Sequence, residues 1–283
     1  MLTQETFKAG KLELNMAVGP ESGPPLIMMH GVTRRWQSFT PLLPSLITRW
    51  QVYLIDARGH GRSDRTEDGY HVIDYAKDYV AFLQQRCKEP AIVYGHSMGA
   101  MLAAAVAAAA PDQVCAAIME DPPFETMGKR IRETPLHGYF SQLQPFARST
   151  SRTSSIAKHL AEIRITDAAG TVHRLGDIRD STTIRFGARC LKQLDPTVLD
   201  SIIAGEWLKG YDCDDIWERI DCPSLLLQAD YAAGGMLVDS DAERLVDKAA
   251  DCSLVKFSDT GHVIHWERTE DLLTKVLGFL ESI

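Results

Sequence analysis

Apolar residues along this chain fall into short uninterrupted runs. Leu26-Ile27-Met28-Met29, Gln51-Val52-Tyr53-Leu54-Ile55, Ala91-Ile92-Val93-Tyr94, Ala116-Ala117-Ile118-Met119, Ser224-Leu225-Leu226-Leu227 and Leu254-Val255-Lys256-Phe257 each read as a strand. Successive side chains of a strand point to opposite faces, so a run without alternation fits a strand covered on both sides. Segments with helical spacing, 75–86 and 239–249 among them, lie between the runs. Strands alternating with helices predict an α/β fold, a mainly parallel sheet with helices on both faces.

The rhythm breaks after Pro122 and resumes near Gly210. Ser, Thr and Arg rise in ARSTSRTSSIAKHL, and PLHGYFSQLQPF and LDPTVLDSIIAGEWLKG carry amphipathic helical spacing. This predicts a core of 1–122 and 211–283, interrupted by a mostly helical lid at 123–210. Open α/β sheets bind ligands beyond the carboxyl ends of their strands, where such a lid would lie.

Composition narrows the classes of function. With 283 residues, 45% hydrophobic and 24% charged, the chain reads as an ordinary globular protein of one or two domains. A formal net charge of -8 with scattered Lys and Arg argues against a nucleic-acid partner. The start has no basic stretch followed by an apolar one, and no window supplies the ~18 apolar residues of a membrane span. A cytoplasmic protein without a membrane partner is expected. The six cysteines, Cys87, Cys115, Cys190, Cys213, Cys222 and Cys252, form no C-x-x-C pair, so neither a zinc site nor a disulfide framework is signalled. No metal or cofactor is expected. The oligomeric state, a homo-oligomer included, is not specified.

Candidate chemistry centres on Gly95-His96-Ser97-Met98-Gly99, between the run AIVY and the helical AMLAAAVAAAA. A serine hydroxyl attacks a carbonyl only when a base takes its proton and donors receive the oxyanion. A strand-to-helix turn of the form Gly-x-Ser-x-Gly exposes the serine oxygen above the sheet. The turn aims the next backbone N–H, that of Met98, at the oxyanion.

With His30-Gly31, Asp56-Ala57-Arg58-Gly59-His60-Gly61-Arg62-Ser63-Asp64 and Asp259-Thr260-Gly261-His262, this motif resembles the α/β-hydrolase superfamily over most of the chain outside the lid. The resemblance implies a second oxyanion donor on the loop after His30-Gly31, the N–H of Val32. It implies that His262, after the last strand and every candidate acid, is the base, while His265, His96 and His30 support the site. DARGHGRSD is similar to a structural turn of that superfamily.

The acid is less direct. In many superfamily members it follows the strand here seen as SLLLQ, and that position is occupied by Ala232, with Asp230 two residues early. A second placement, one strand earlier, falls on Asp121 in CAAIMEDPPF. Asp121 is preferred, and Asp230 is the alternative. Strand alternation turns Glu120 to the opposite side.

Trp36, Phe124, Phe140 and Trp207 are candidates for an apolar substrate wall, although such residues are more often core; Arg34 and Arg35 could hold a carboxylate, but a solvated arginine pair is the preferred reading. The leading expectation is a cofactor-independent serine hydrolase of a small ester, thioester or lactone. The alternatives are a carbon–carbon bond hydrolase of a β-diketone-like ring-cleavage product, using the same three residues, and a non-catalytic ligand-binding protein on the same fold.

Overall fold

In the computed structural model, which describes residues 1–166 and 170–283, eight strands form one sheet. In chain order the strands are β1 (Thr3–Ala9), β2 (Leu12–Val18), β3 (Pro25–Met29), β4 (Gln51–Ile55), β5 (Ala91–His96), β6 (Val114–Glu120), β7 (Arg164–Thr166), β8 (Val172–Arg174), β9 (Ser224–Ala229) and β10 (Cys252–Phe257). The sheet runs β1-β2-β4-β3-β5-β6-β9-β10, while β7 and β8 form a separate hairpin. All six apolar runs lie within parallel strands. The hairpin of β1 and β2 adds an antiparallel edge. Its outer strand has most residues exposed, so it lacks the continuous apolar run that marks the interior strands.

Alternation along the strands divides the core in two. Ile27, Met29, Val93, Ala117 and Met119 face one side, with the helices Val72–Arg86 and Met98–Ala109. Met28, Tyr94, Ile118 and Leu227 face the other, with Trp36–Leu42, Leu43–Leu46 and Thr269–Leu280. Helices thus cover both faces, as the sequence pattern requires. None among the described residues is long and apolar enough to cross a membrane.

The segment 123–210 contains the helices Pro135–Leu143, Thr153–Glu162, Ser181–Leu191 and Val198–Ile203. It also contains the β7–β8 hairpin, which the helical reading of this segment misses. Three of its residues, 167–169, lie outside the described residues. After Ile203 the chain leaves the helix at Ala204 and Gly205, where φ reaches +75°, so the spacing in LDPTVLDSIIAGEWLKG yields one short helix and a turn.

The helix Met98–Ala109 is buried along almost its whole length. Its small side chains let it seat closely against the sheet, and the two motif glycines set that distance. A Cβ on Gly95 would lie 1.9 Å from the carbonyl oxygen of Gly99, and one on Gly99 would lie 1.7 Å from that of Met29. Neither separation is sterically possible, so both positions require glycine for close backbone approach.

Gly99→Ala should destabilise the protein by about 3 kcal/mol or more, since rigid backbone must move aside. Gly138→Ala places its Cβ in open space on the helix Pro135–Leu143 and should stabilise by up to about 1 kcal/mol. Urea unfolding of the two variants checks both signs.

Candidate active site

Ser97 sits between β5 and its following helix with φ 57° and ψ -118°, a conformation that L-residues seldom adopt. Hydrogen bonds hold it there. Its N–H donates to the Glu120 carbonyl at 2.9 Å, and its own carbonyl accepts from Ala100 and Met101 at 2.9 and 3.2 Å. Met98 opens the helix, so its N–H has no carbonyl one turn back to bond.

The loop after β3 lies beside this turn. A Cβ on Gly31 would meet Ser97 Cβ at 3.2 Å and His96 Nδ1 at 3.0 Å, so glycine allows the loop its close approach. Two buried histidines hold the loop in place. His30 Nδ1 donates to the Gly31 carbonyl at 2.8 Å while its Nε2 accepts from the Ala57 N–H at 3.0 Å. His60 Nδ1 donates to the Arg58 carbonyl at 2.9 Å, and its Nε2 accepts from Thr33 N–H at 3.3 Å. A carbonyl can only accept and an amide can only donate, so both rings are fixed as neutral Nδ1–H tautomers. Burial lowers His30 to about 4 and His60 to about 3.

Asp56 completes this support. Its carboxylate accepts from Trp36 N–H at 2.9 Å, Asn15 Nδ2 at 2.8 Å and Arg62 N–H at 3.1 Å. Burial pushes its carboxyl up even though these donors pull it down. DARGHGRSD therefore braces the loop that carries Val32.

Asp121 follows β6 directly and is fully buried, with φ 44°. Its N–H donates to the Leu227 carbonyl at 2.7 Å, which places it beside the end of β9. Its carboxylate accepts from the N–H groups of Ala229, Met236 and Leu237 at 3.2, 2.8 and 3.3 Å. The fourth donor is His262, whose Nδ1 lies 2.6 Å from Asp121 Oδ2. Asp230 binds elsewhere: its carboxylate accepts from Ala232 N–H at 2.9 Å and Asp259 N–H at 3.0 Å, closing two turns.

One step back along β6, Glu120 points to the other side and accepts from the backbone N–H of His265 at 2.9 Å and from its Nδ1 at 2.8 Å. Tyr94 donates to the same carboxylate. Burial would raise the Glu120 carboxyl, but the imidazoles of His265 and His96 and the bonds from His265 and Tyr94 bring it down to about 2. His96 Nε2 donates to the His262 carbonyl at 3.0 Å, and burial holds this histidine far below its ordinary value. The sequence places Glu120 on the side opposite Asp121 but does not identify its bonds to His265 and Tyr94. The available signal was a pair of spacings, consecutive acids at 120 and 121 against histidines three apart at 262 and 265.

Ser97, His262, Gly31 and Val32 line a cavity of about 730 Å³, roofed by side chains of 123–210. Of the four aromatic candidates, Phe140 lines it. The other three are core residues and correct the sequence reading. Trp36 packs in the core cluster that contains Met28 and Tyr94, Phe124 stacks edge-on against Trp217 at 5.6 Å, and Trp207, itself within 123–210, is fully buried. Large aromatic side chains bury the most apolar area, so the core claims them first.

A family model described as alpha/beta hydrolase fold matches residues 24–269. A 2-(acetamidomethylene)succinate hydrolase from Mesorhizobium japonicum is 37% identical over 112 residues, 40% of this chain and 40% of that protein. The match therefore spans two-fifths of that relative's length. An sn-1-specific diacylglycerol lipase from Xenopus tropicalis is 23% identical over 281 residues, 96% of this chain and 82% of the lipase. Among solved structures, E-2-(acetamidomethylene)succinate hydrolase superposes with a TM-score of 0.80 at 21% identity, covering 99% of this chain and 100% of that one. The N-formylmaleamic acid deformylase of Pseudomonas putida gives 0.77 at 20% identity, covering 97% and 100%.

The neutral histidines make stability depend on pH. His30 and His60 titrate near 6.5 when unfolded but near 4 and 3 in the fold, so below 6.5 the unfolded chain binds more protons. Stability should fall as pH drops from about 6.5 toward 4, by about 1 kcal/mol per pH unit for each histidine. Urea unfolding across this range checks the slope, and His60→Gln should make it shallower.

Proposed function

The chain belongs to the alpha/beta hydrolase fold family, and from that premise we propose that it is a cofactor-independent serine hydrolase cleaving a small ester, thioester or lactone through an acyl-enzyme on Ser97. The observation that carries this reading is the 2.6 Å contact between Asp121 and His262 beside the strained turn of Ser97.

The mechanism divides the work among named groups. Asp121 accepts from His262 Nδ1, which leaves the Nε2 lone pair as the base. His262 takes the Ser97 proton as the serine oxygen attacks the substrate carbonyl, and the N–H groups of Val32 and Met98 receive the oxyanion. The C–O or C–S bond then breaks, and His262 returns the proton to the departing oxygen or sulfur. Water repeats the sequence on the acyl-enzyme, releasing the acid and restoring Ser97. Because Asp121 is buried with its donors, it orients the imidazole and offsets the charge that His262 gains.

The insert over the cavity is proposed to act as a lid that selects the substrate, with Phe140 on its wall. Two structural neighbours are named for a succinate and a maleamic acid. Acids therefore join the substrates to be tested.

A fluorophosphonate probe should label the protein at Ser97, and p-nitrophenyl esters should be hydrolysed. Ser97→Ala should abolish both. The absence of labelling and turnover in the natural protein would contradict the hydrolase reading, and cleavage of dienone acids without ester turnover would favour the carbon–carbon alternative.

Asp121→Asn should lower kcat about 1000-fold or more while thermal unfolding stays cooperative, because the imidazole loses its acceptor. Asp230→Asn should change kcat less than about tenfold. Steady-state kinetics on one ester separates them.

A further inference from the structure

The charged groups on the cavity wall are not equally satisfied. Arg179 pairs with Glu267 at 3.0 Å, and the same glutamate accepts from the Gly261 N–H at 2.8 Å. Asp180 caps the helix Ser181–Leu191, accepting from the N–H groups of Thr182 and Thr183. Arg34 differs. Among the described residues no carboxylate lies within ion-pair distance of it, and its guanidinium makes one long hydrogen bond, to the Thr33 carbonyl at 3.5 Å. It lies over the Trp266 ring at 5.9 Å, a contact that holds the cation without using its donors. Most of its five N–H groups therefore lack a protein acceptor.

A second unsatisfied group lies three residues on. Gln37 lines the same cavity, and its Oε1 is buried with no hydrogen-bond partner among the described residues. The oxygen and nitrogen of the amide exchange places by a half-turn of the group, so this position presents either an acceptor or two donors. Both residues belong to the stretch that follows Gly31, and the Arg34 N–H donates to the Gly31 carbonyl at 3.1 Å. The polar corner is thereby tied to the loop that abuts Ser97. Leu136, Phe140, Leu143 and Ile184 give the cavity its apolar lining.

We propose that Arg34, assisted by Gln37, binds a carboxylate carried by the substrate, whose apolar body lies against the insert. The inference rests on the serine-hydrolase reading above and names its substrate class: an ester, thioester or lactone bearing a free acid group. A guanidinium fork matches a carboxylate with two parallel hydrogen bonds, which a lysine cannot reproduce. With a formal net charge of -8, the protein as a whole repels anions, so their selection has to come from such a local contact.

The test uses the full chain and matched pairs of esters, monomethyl dicarboxylates against methyl alkanoates of the same length, in which a carboxylate replaces the terminal methyl. Acid release in a pH-stat gives kcat/KM for each. The natural protein should favour the anionic member of at least one pair by about tenfold or more, and Arg34→Ala should cut that ratio about 10- to 100-fold, mainly through KM. Arg34→Lys should retain part of the preference. Arg219→Ala, a change of the same charge at an exposed site away from the cavity, should keep the ratio.

A ratio at or below one in every pair, or a ratio that Arg34→Ala leaves unchanged, would overturn the inference. If Arg34→Ala does not fold, the natural protein and Arg34→Lys decide. Fluorophosphonate labelling of the same preparations separates the two levels. Labelling without anionic preference removes the carboxylate inference alone, and absence of labelling removes the hydrolase reading with it.

Discussion

The geometry of the site depends on one buried carboxylate. Asp121 has no exposed surface, and an ionised group without water must find its donors within the protein. It finds four: three backbone N–H groups from 229–237 and the Nδ1 of His262. These bonds connect the end of β6, the loop after β9 and the turn that bears the histidine. Loss of any one leaves a buried acceptor or donor unpaired, so the three segments hold one another in register.

The same carboxylate accounts for the empty position at Ala232. The loop after β9 supplies amides to an acid on the neighbouring strand, and Asp230 closes the turns on which that loop and the 258–260 segment are built. Glu120 extends the arrangement to the opposite face, where it binds His265 three residues beyond His262. The last residue of β6 and the residue that follows it thus bind His265 and His262, three residues apart, on two sides of the chain.

The interior of the fold was legible because parallel strands buried on both faces must be apolar throughout, and all six such runs are strands. β1, β7 and β8 escaped notice for the converse reason, being half-exposed with no such run, and β2 because Glu13 and Asn15 interrupt it; the edge strand β10 does carry a run. GHSMG was legible as a strand-to-helix turn, and the structure adds why each glycine is there, contact with the backbone of Gly99 and of Met29. The proximity of Asp121 to His262 depends on a pairing between residues 141 positions apart, which no local pattern encodes. The aromatic candidates failed for a similar reason: Trp36, Phe124 and Trp207 have the composition of a pocket wall but the burial of a core.

In the proposed mechanism Asp121 orients His262. Proton NMR of the imidazole Nδ1–H tests it most directly, since a proton held in a 2.6 Å bond to a carboxylate resonates well downfield of ordinary amides. Such a resonance is expected in the natural protein and in Asp230→Asn, and should be lost in both Asp121→Asn and His262→Ala. A resonance that survives Asp121→Asn and disappears in Asp230→Asn would contradict it.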